Sequence, residues 1–134
     1  MVRRKCMISK VRAKPDGDAV LIPLETAVYF EKFCLPRNDR NPCREQFFYL
    51  FPGKDFYVES IHIASAASLR ECAEICVRQD CLTAVYNADS HECHIKDLTA
   101  ANKRSYLADK TNSYYFENGC KKLSTFSIES KLNN

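Results

Sequence analysis

Glycine and proline are scarce in this sequence, with three and five copies among 134 residues. Collagen-like, low-complexity and largely disordered chains are rich in these residues, so the composition excludes those classes. Long apolar runs are also missing: AVLI at 19–22 is among the longest, whereas a membrane-spanning helix needs roughly 18–20 apolar residues. The basic start, MVRRKCMISKVRAK, lacks the roughly 7–15-residue apolar core of a signal peptide. We therefore expect a globular chain with no membrane span and, as given, no secretion signal.

Cysteine, in contrast, is abundant. Eight cysteines in a chain of 134 residues, an even number, are typical of a disulfide framework formed in an oxidising compartment. This predicts an extracellular or secreted parent protein and conflicts with the missing secretion signal; a truncated start would reconcile the two. The eight are Cys6, Cys34, Cys43, Cys72, Cys76, Cys81, Cys93 and Cys120.

Charge is distributed unevenly along the chain. Residues 43–120 carry eight Lys/Arg against eleven Asp/Glu, a net charge of −3, and the flanks carry the basic excess that brings the whole chain to +3. Nucleic-acid and heparin sites need clustered basic residues on one face. The cysteine-rich stretch is therefore not expected to bind nucleic acid.

An internal repeat organises the chain. YFEKFC at 29–34 returns as YFENGC at 115–120, and the closing cysteines follow Cys6 and Cys93 by 28 and 27 positions. Each copy suggests a cysteine, a short apolar strand, a polar loop, an aromatic strand and a second cysteine, but nothing upstream of Cys6 matches residues 43–92. We interpret the chain as four segments: 1–34, the truncated tail of a preceding module; 35–42, a linker; 43–120, a complete module; and 121–134, a polar tail or the start of another linker.

Residue patterns in the complete module predict one helix and several strands. Ser68 and Glu71 have the spacing of a capping box, and apolar residues at 69, 72, 73, 76 and 77 form one stripe. Aromatic and β-branched runs predict strands at 46–51, 56–63, 82–88, 92–97 and 113–117, with PGKD at 52–55 as a turn and 98–112 as a polar connection. The prediction is an α+β fold, a small disulfide-stapled antiparallel sheet with one helix packed across it.

The cysteine spacing resembles that of the PAN/apple domain family: Cys43–x28–Cys72–x3–Cys76–x4–Cys81–x11–Cys93–x26–Cys120, with Tyr86 and Asn87 as an aromatic–Asn pair. The resemblance covers 43–120, and the repeat extends it to 6–34. It implies the disulfides Cys43–Cys120, Cys72–Cys93 and Cys76–Cys81, whereas the residues alone leave about 15 pairings open. By the same resemblance, Cys6 and Cys34 match the last two cysteines of a preceding module, and their partners would lie in its missing N-terminal half. Both are therefore expected to be reduced, mispaired with each other, or linked to another molecule.

Zinc is the main alternative for the cysteines, because Cys72, Cys76, Cys81 and Cys93 with His94 offer soft ligands at usable spacings. The repeat favours disulfides over zinc, so no metal or cofactor is expected. His62, His91 and His94 show no Ser/His/Asp arrangement, and a cysteine nucleophile would need a free thiol beside an oriented histidine. We therefore predict that the chain is not an enzyme.

Aromatic residues are concentrated near both ends of the module. Since alternate strand positions face the core, packing explains about half of them without a ligand, and the sequence does not identify ligand-binding residues. The first group comprises Phe47, Phe48, Tyr49, Phe51, Phe56 and Tyr57; the second comprises Tyr114, Tyr115 and Phe116.

The resemblance implies a non-catalytic extracellular recognition module that binds a protein or a carbohydrate. It would be a fragment of a larger tandem-module protein, presenting loops such as 52–55 and 98–112 to its partner. Two alternatives remain open. One is a structural component of an extracellular matrix or cuticle, linked between molecules through Cys6 or Cys34, and the other is an intracellular zinc-binding protein.

Overall fold

The computed structural model describes residues 5–22, 24–32, 34–35, 43 and 46–121. The chain divides into two compact units, Met1–Lys32 and Phe33–Asn134. Most of the predicted linker at 35–42 and of the tail at 121–134 lies outside the described residues.

The first unit contains little regular structure in its described part. Its one isolated bridge there joins Ala13 and Ala19, and Tyr29 fixes this turn by accepting a hydrogen bond from the Ala13 amide at 3.1 Å. The strands predicted for the first repeat copy are wrong for the described residues, because residues 5–9 and 27–32 adopt no strand.

The second unit is built on a five-stranded antiparallel sheet with the order β1-β5-β3-β4-β2. One α-helix, α1, lies between β2 and β3 in the chain, and a short 3-10 turn at Arg104–Tyr106 precedes β5. The predicted α+β fold class is confirmed. The elements are β1 Phe48–Phe56, β2 His62–Ser65, α1 Leu69–Arg78, β3 Thr83–Asn87, β4 Glu92–Lys96 and β5 Leu107–Asn118.

The helix begins as the capping pattern predicts. The Ser68 hydroxyl accepts a hydrogen bond from the Glu71 amide at 3.1 Å, which satisfies a backbone donor that would otherwise be free. The Glu71 carboxylate reaches back to the Ala67 amide at 2.7 Å, one residue before the usual capping-box partner. The buried face of α1 consists of Cys72, Ala73, Cys76 and Val77.

The main core lies between α1 and one face of the sheet. Successive strand residues point to opposite faces, so β3 contributes Ala84 and Tyr86 to this core and β4 contributes Cys93 and Ile95. Tyr86 and Ile95 are at most 1% exposed.

Two strand predictions near the start of the module are wrong. PGKD does not end a strand; it lies within β1, where the register with β5 shifts between Pro52 and Lys54. Gly53 takes φ +72° there, a conformation that glycine adopts at little cost. The predicted strand at 56–63 is divided between the last residue of β1 and the first two of β2.

The predicted connection at 98–112 is correct only in its first part. β5 starts at Leu107 and pairs with β1 through Lys54↔Asp109, Asp55↔Ala108 and Phe56↔Leu107. Neither 52–55 nor 107–112 is therefore a loop, and the idea that these residues are presented as loops is wrong.

Three disulfides cross-link the module, Cys43–Cys120, Cys72–Cys93 and Cys76–Cys81, with sequence separations of 77, 21 and 5. Their Cα–Cα distances are 5.7, 5.3 and 4.9 Å, within the normal range for disulfides. Cys72–Cys93 connects the helix to β4, and Cys43–Cys120 closes the module from the residues before β1 to the residues after β5. These are the pairs that the family resemblance implies.

We expect Gly119→Ala to destabilise the protein by about 1–2 kcal/mol, because a Cβ at this position would overlap the Phe47 ring and force it to move. Urea unfolding of the two single variants and of Phe47→Ala/Gly119→Ala checks this, because removing the ring should relieve most of the cost. Gly53→Ala is the control: open space surrounds that position and only its positive φ opposes a side chain, by about 1 kcal/mol. Its cost should not change when Phe47 is removed; additive effects at Gly119 and Phe47 would contradict the packing argument.

Candidate functional site

The sheet face opposite α1 carries a polar cleft of about 470 Å³. Part of this face is closed by a small core in which Phe56, Val85, Ala100 and Tyr115 pack together. The cleft lies beside this core. Its floor comprises Val85 and Asn87 of β3 with Glu92, His94 and Lys96 of β4, and its walls are residues 55–59 and Lys110.

Lys96 is the buried cation of the cleft, with 4% of its surface exposed. Its ammonium group donates to the Val58 carbonyl at 2.7 Å and to the Ser60 hydroxyl at 3.0 Å. Burial lowers the pKa of Lys96, and the nearby Asp55 carboxylate opposes that shift. Both hydrogen-bond acceptors are uncharged, and no ion pair of Lys96 occurs within the described part of the chain. The buried charge is therefore held mainly by neutral oxygens.

A hydrogen-bonded chain runs from Lys96 along the floor. The Ser60 hydroxyl lies 3.2 Å from His94 Nδ1, and His94 Nε2 lies 3.0 Å from Glu92 Oε2. All contacts are satisfied when Lys96 donates to Ser60, Ser60 donates to Nδ1, and the Nε2–H donates to Glu92. The hydrogen bond from His94 lowers the pKa of Glu92. These hydrogen bonds fix the orientation of the Glu92, His94 and Lys96 side chains on the floor of the cleft.

The wall of the cleft is ordered in a similar way. Asp55 Oδ1 accepts from the Phe56 amide at 2.7 Å, and Asp55 Oδ2 pairs with Lys110 at 3.2 Å. On the floor, Asn87 Oδ1 accepts from the amides of Asp89 and Ser90 at 2.9 and 3.1 Å. These bonds leave the Asn87 amino group without a hydrogen-bond partner among the described residues.

The three histidines have different surroundings, and the four cysteines considered as zinc ligands are paired in the disulfides Cys72–Cys93 and Cys76–Cys81. His62 is exposed on the edge strand β2, His91 lies 3.2 Å from the Tyr86 hydroxyl, and His94 alone lines the cleft. The described residues contain no cluster of potential metal ligands, and six of the eight cysteines are bonded to one another. Cys6 and Cys34 are exposed thiols.

The expected alternation of buried and exposed residues does not occur in β1, where residues 49–52 are all exposed. Phe56 is fully buried and Phe48 packs against Phe116 at 5.4 Å, whereas the other four of the first group are 37–57% exposed. In β5, residues 114, 115 and 116 are all buried, because both faces of that strand are covered. Of all these residues, Phe56 and Tyr57 line the cleft.

Most cleft residues were not singled out by the sequence. A usable signal was present in β4, where Glu92, His94 and Lys96 place three polar side chains on one face of a predicted strand. Ser60 gave no signal, because its role depends on partners 34 and 36 residues away.

Comparison with known families identifies the module. The model of the PAN domain matches residues 43–120, which is 78 of the 134 residues. The chain belongs to the PAN domain family. PAN domains are generally non-catalytic modules that bind proteins or carbohydrates. No curated protein matches the chain, and no helix among the described residues is long and apolar enough to cross a membrane.

We expect the stability of this PAN protein to depend on pH through Lys96. Burial lowers the pKa of Lys96 in the folded state, while in the unfolded chain it is about 10.4. Between these two values the unfolded chain binds more protons, so the free energy of unfolding rises with pH there. Below the folded-state pKa, Lys96 is charged in both states, and the full cost of burying that charge reduces the free energy of unfolding.

Urea unfolding of the wild type and of Lys96→Met between about pH 7 and 10.5 measures this effect. Both proteins should carry Cys6→Ser and Cys34→Ser, since thiolates exchange with disulfides at alkaline pH. Stability of the wild type relative to Lys96→Met should increase with pH, and Lys103→Met, at an exposed position, controls for the loss of one charge. If the difference in the free energy of unfolding between the wild type and Lys96→Met stays constant across the pH range, Lys96 is not desolvated.

Proposed function

We propose that this chain supplies a non-catalytic extracellular recognition module that binds a protein or a carbohydrate. Membership of the PAN family supports the binding role, and PAN domains with three disulfides are typical of extracellular proteins. In this proposal residues 43–120 are the complete module, and 1–34 are the C-terminal part of a preceding module in a larger tandem protein.

The observation that carries the proposal is the cleft opposite α1. Four of its five charged side chains, those of Asp55, Glu92, Lys96 and Lys110, are held by hydrogen bonds within the protein. Preorganised polar groups lose little conformational freedom on binding, which favours affinity. A concave surface with a few fixed polar groups is also the usual form of a ligand site.

The two exposed thiols favour a second candidate function. Cys6 and Cys34 are both unpaired and exposed in the structure, so either can reach a cysteine of another molecule. A chain linked in this way would serve as a structural component of an extracellular matrix, and disulfide-linked oligomers that disappear on reduction would identify it.

The thiol content distinguishes these possibilities from zinc binding. We expect two of the eight cysteines to react with a thiol reagent in the denatured, unreduced monomer, and peptide mapping to find the three disulfides of the structure. Eight reactive thiols together with about one bound metal ion would overturn the proposal. A cross-linked oligomer would instead retain fewer than two thiols per chain and would support the matrix role.

Binding by the oxidised full chain tests recognition directly. We expect saturable binding to intact cell surfaces or extracellular matrix, weakened at least about tenfold in Asn87→Asp/Lys110→Gln, which alters two cleft side chains. Asn102→Asp/Lys103→Gln is the matched control, because it makes the same two exchanges at exposed positions outside the cleft. No saturable binding to either surface, or equal losses in both variants, would count against recognition through the cleft.

A further inference from the structure

The cleft retains hydrogen-bond donors after its internal contacts are made. An ammonium group has three N–H bonds, and Lys96 uses two of them on Val58 and Ser60. Lys110 uses one on Asp55. The Asn87 amino group contributes two more, because the hydrogen bonds of this side chain to residues 89 and 90 involve its oxygen. A ligand in the cleft therefore meets donors from β3, β4 and β5.

Acceptors remain free in the same cleft. Each Asp55 oxygen accepts one hydrogen bond within the protein, although a carboxylate oxygen can accept two. Glu92 uses Oε2 for both Ser90 and His94, so its Oε1 has no partner among the described residues. Glu59 adds an exposed carboxylate at the rim. The ligand must therefore donate hydrogen bonds as well as accept them.

The charges in the cleft nearly balance. Asp55, Glu59 and Glu92 face two lysines, Lys96 and Lys110, which gives a formal net charge of −1 with His94 neutral. A strongly anionic ligand would meet three carboxylates, and a cationic ligand would meet two ammonium groups. A neutral ligand avoids both costs. Among neutral groups a hydroxyl both donates and accepts, so vicinal hydroxyls match this mixture of partners.

An aromatic ring completes the cleft. Tyr57 lines it and is 57% exposed, and its amide donates to the Tyr106 carbonyl at 2.8 Å, which fixes the backbone there. The C–H face of a sugar ring is apolar and can pack against such a ring, while the Tyr hydroxyl remains in water. The cleft volume of about 470 Å³ lies within the range of small-ligand sites.

We infer that the cleft binds a neutral carbohydrate. Sugar hydroxyls would accept from Lys96, Lys110 and Asn87 and donate to Asp55 and Glu92, and one sugar face would cover Tyr57. The inference rests on the proposed recognition function and specifies its ligand class, with a protein ligand as the competing outcome.

An array of immobilised oligosaccharides, including neutral, sialylated, sulfated and uronic-acid members, tests the ligand class with the oxidised full chain. We expect binding to neutral members, inhibition by the corresponding free neutral sugar, and little dependence on salt, because the ligand carries no charge. Preference for acidic members, with loss of binding in high salt, would overturn the inference.

Single variants then test the site. Asn87→Asp keeps the oxygen that accepts from residues 89 and 90 but removes the free amino group, so binding should fall about tenfold. Asn102→Asp makes the same exchange at an exposed position outside the cleft and should leave binding unchanged. Tyr57→Ala should also weaken binding about tenfold, while Tyr106→Ala, which removes an exposed ring outside the cleft lining, should not. Unchanged binding by both cleft variants would contradict the assignment.

The outcomes also separate this inference from the proposed function. If the chain binds cell surfaces through a protein and no member of the array, the carbohydrate assignment fails while recognition stands. If it binds neither surfaces nor the array, both fail.

Discussion

The covalent link between helix and sheet is the constraint on which the module depends. The fully buried side chains of α1 are small, Cys72, Ala73, Cys76 and Val77. Its larger Leu69 and Ile75 are only partly buried against the core, so burial of apolar surface alone holds this helix less firmly than large core side chains would. Cys72–Cys93 adds a covalent attachment between helix and sheet, with a sequence separation of 21. The chain-entropy model gives a loop of this length about 3 kcal/mol of stabilisation. The same model gives about 4–5 kcal/mol for Cys43–Cys120, which closes the whole module.

This attachment leaves the other sheet face available for polar chemistry. With the main core on the helix side, the second face needs only the small cluster around Phe56 and Tyr115. The remaining strand positions can then carry charged groups, provided that each has hydrogen-bond partners. Lys96 meets this condition through Val58 and Ser60. The disulfide-linked helix on one face of the sheet therefore allows a preorganised polar cleft on the other face.

The elements that could be predicted from the sequence are those stabilised by residues close together in the chain. The helix was predictable because its capping residues and apolar stripe are local in sequence. The first half of β5 was not, since it pairs with β1 through polar residues, including Lys54–Asp109 and Lys110–Asp55 ion pairs, which leave no apolar periodicity to detect. The cleft was largely hidden for a related reason: its central contacts join Lys96 to residues 36 and 38 positions upstream.

The repeated ending shows the limit of local sequence most directly. In the second copy Tyr115 and Phe116 are at most 1% exposed, in a strand flanked by β1 and β3. The matching residues of the first copy, Tyr29 and Phe30, are 44% and 86% exposed and lie outside any strand. The aromatic pair is identical, so its intrinsic β-propensity is the same in both places. Neighbouring strands that bury both faces therefore decide whether this sequence forms a strand, as expected if β-propensity is mainly a measure of packing.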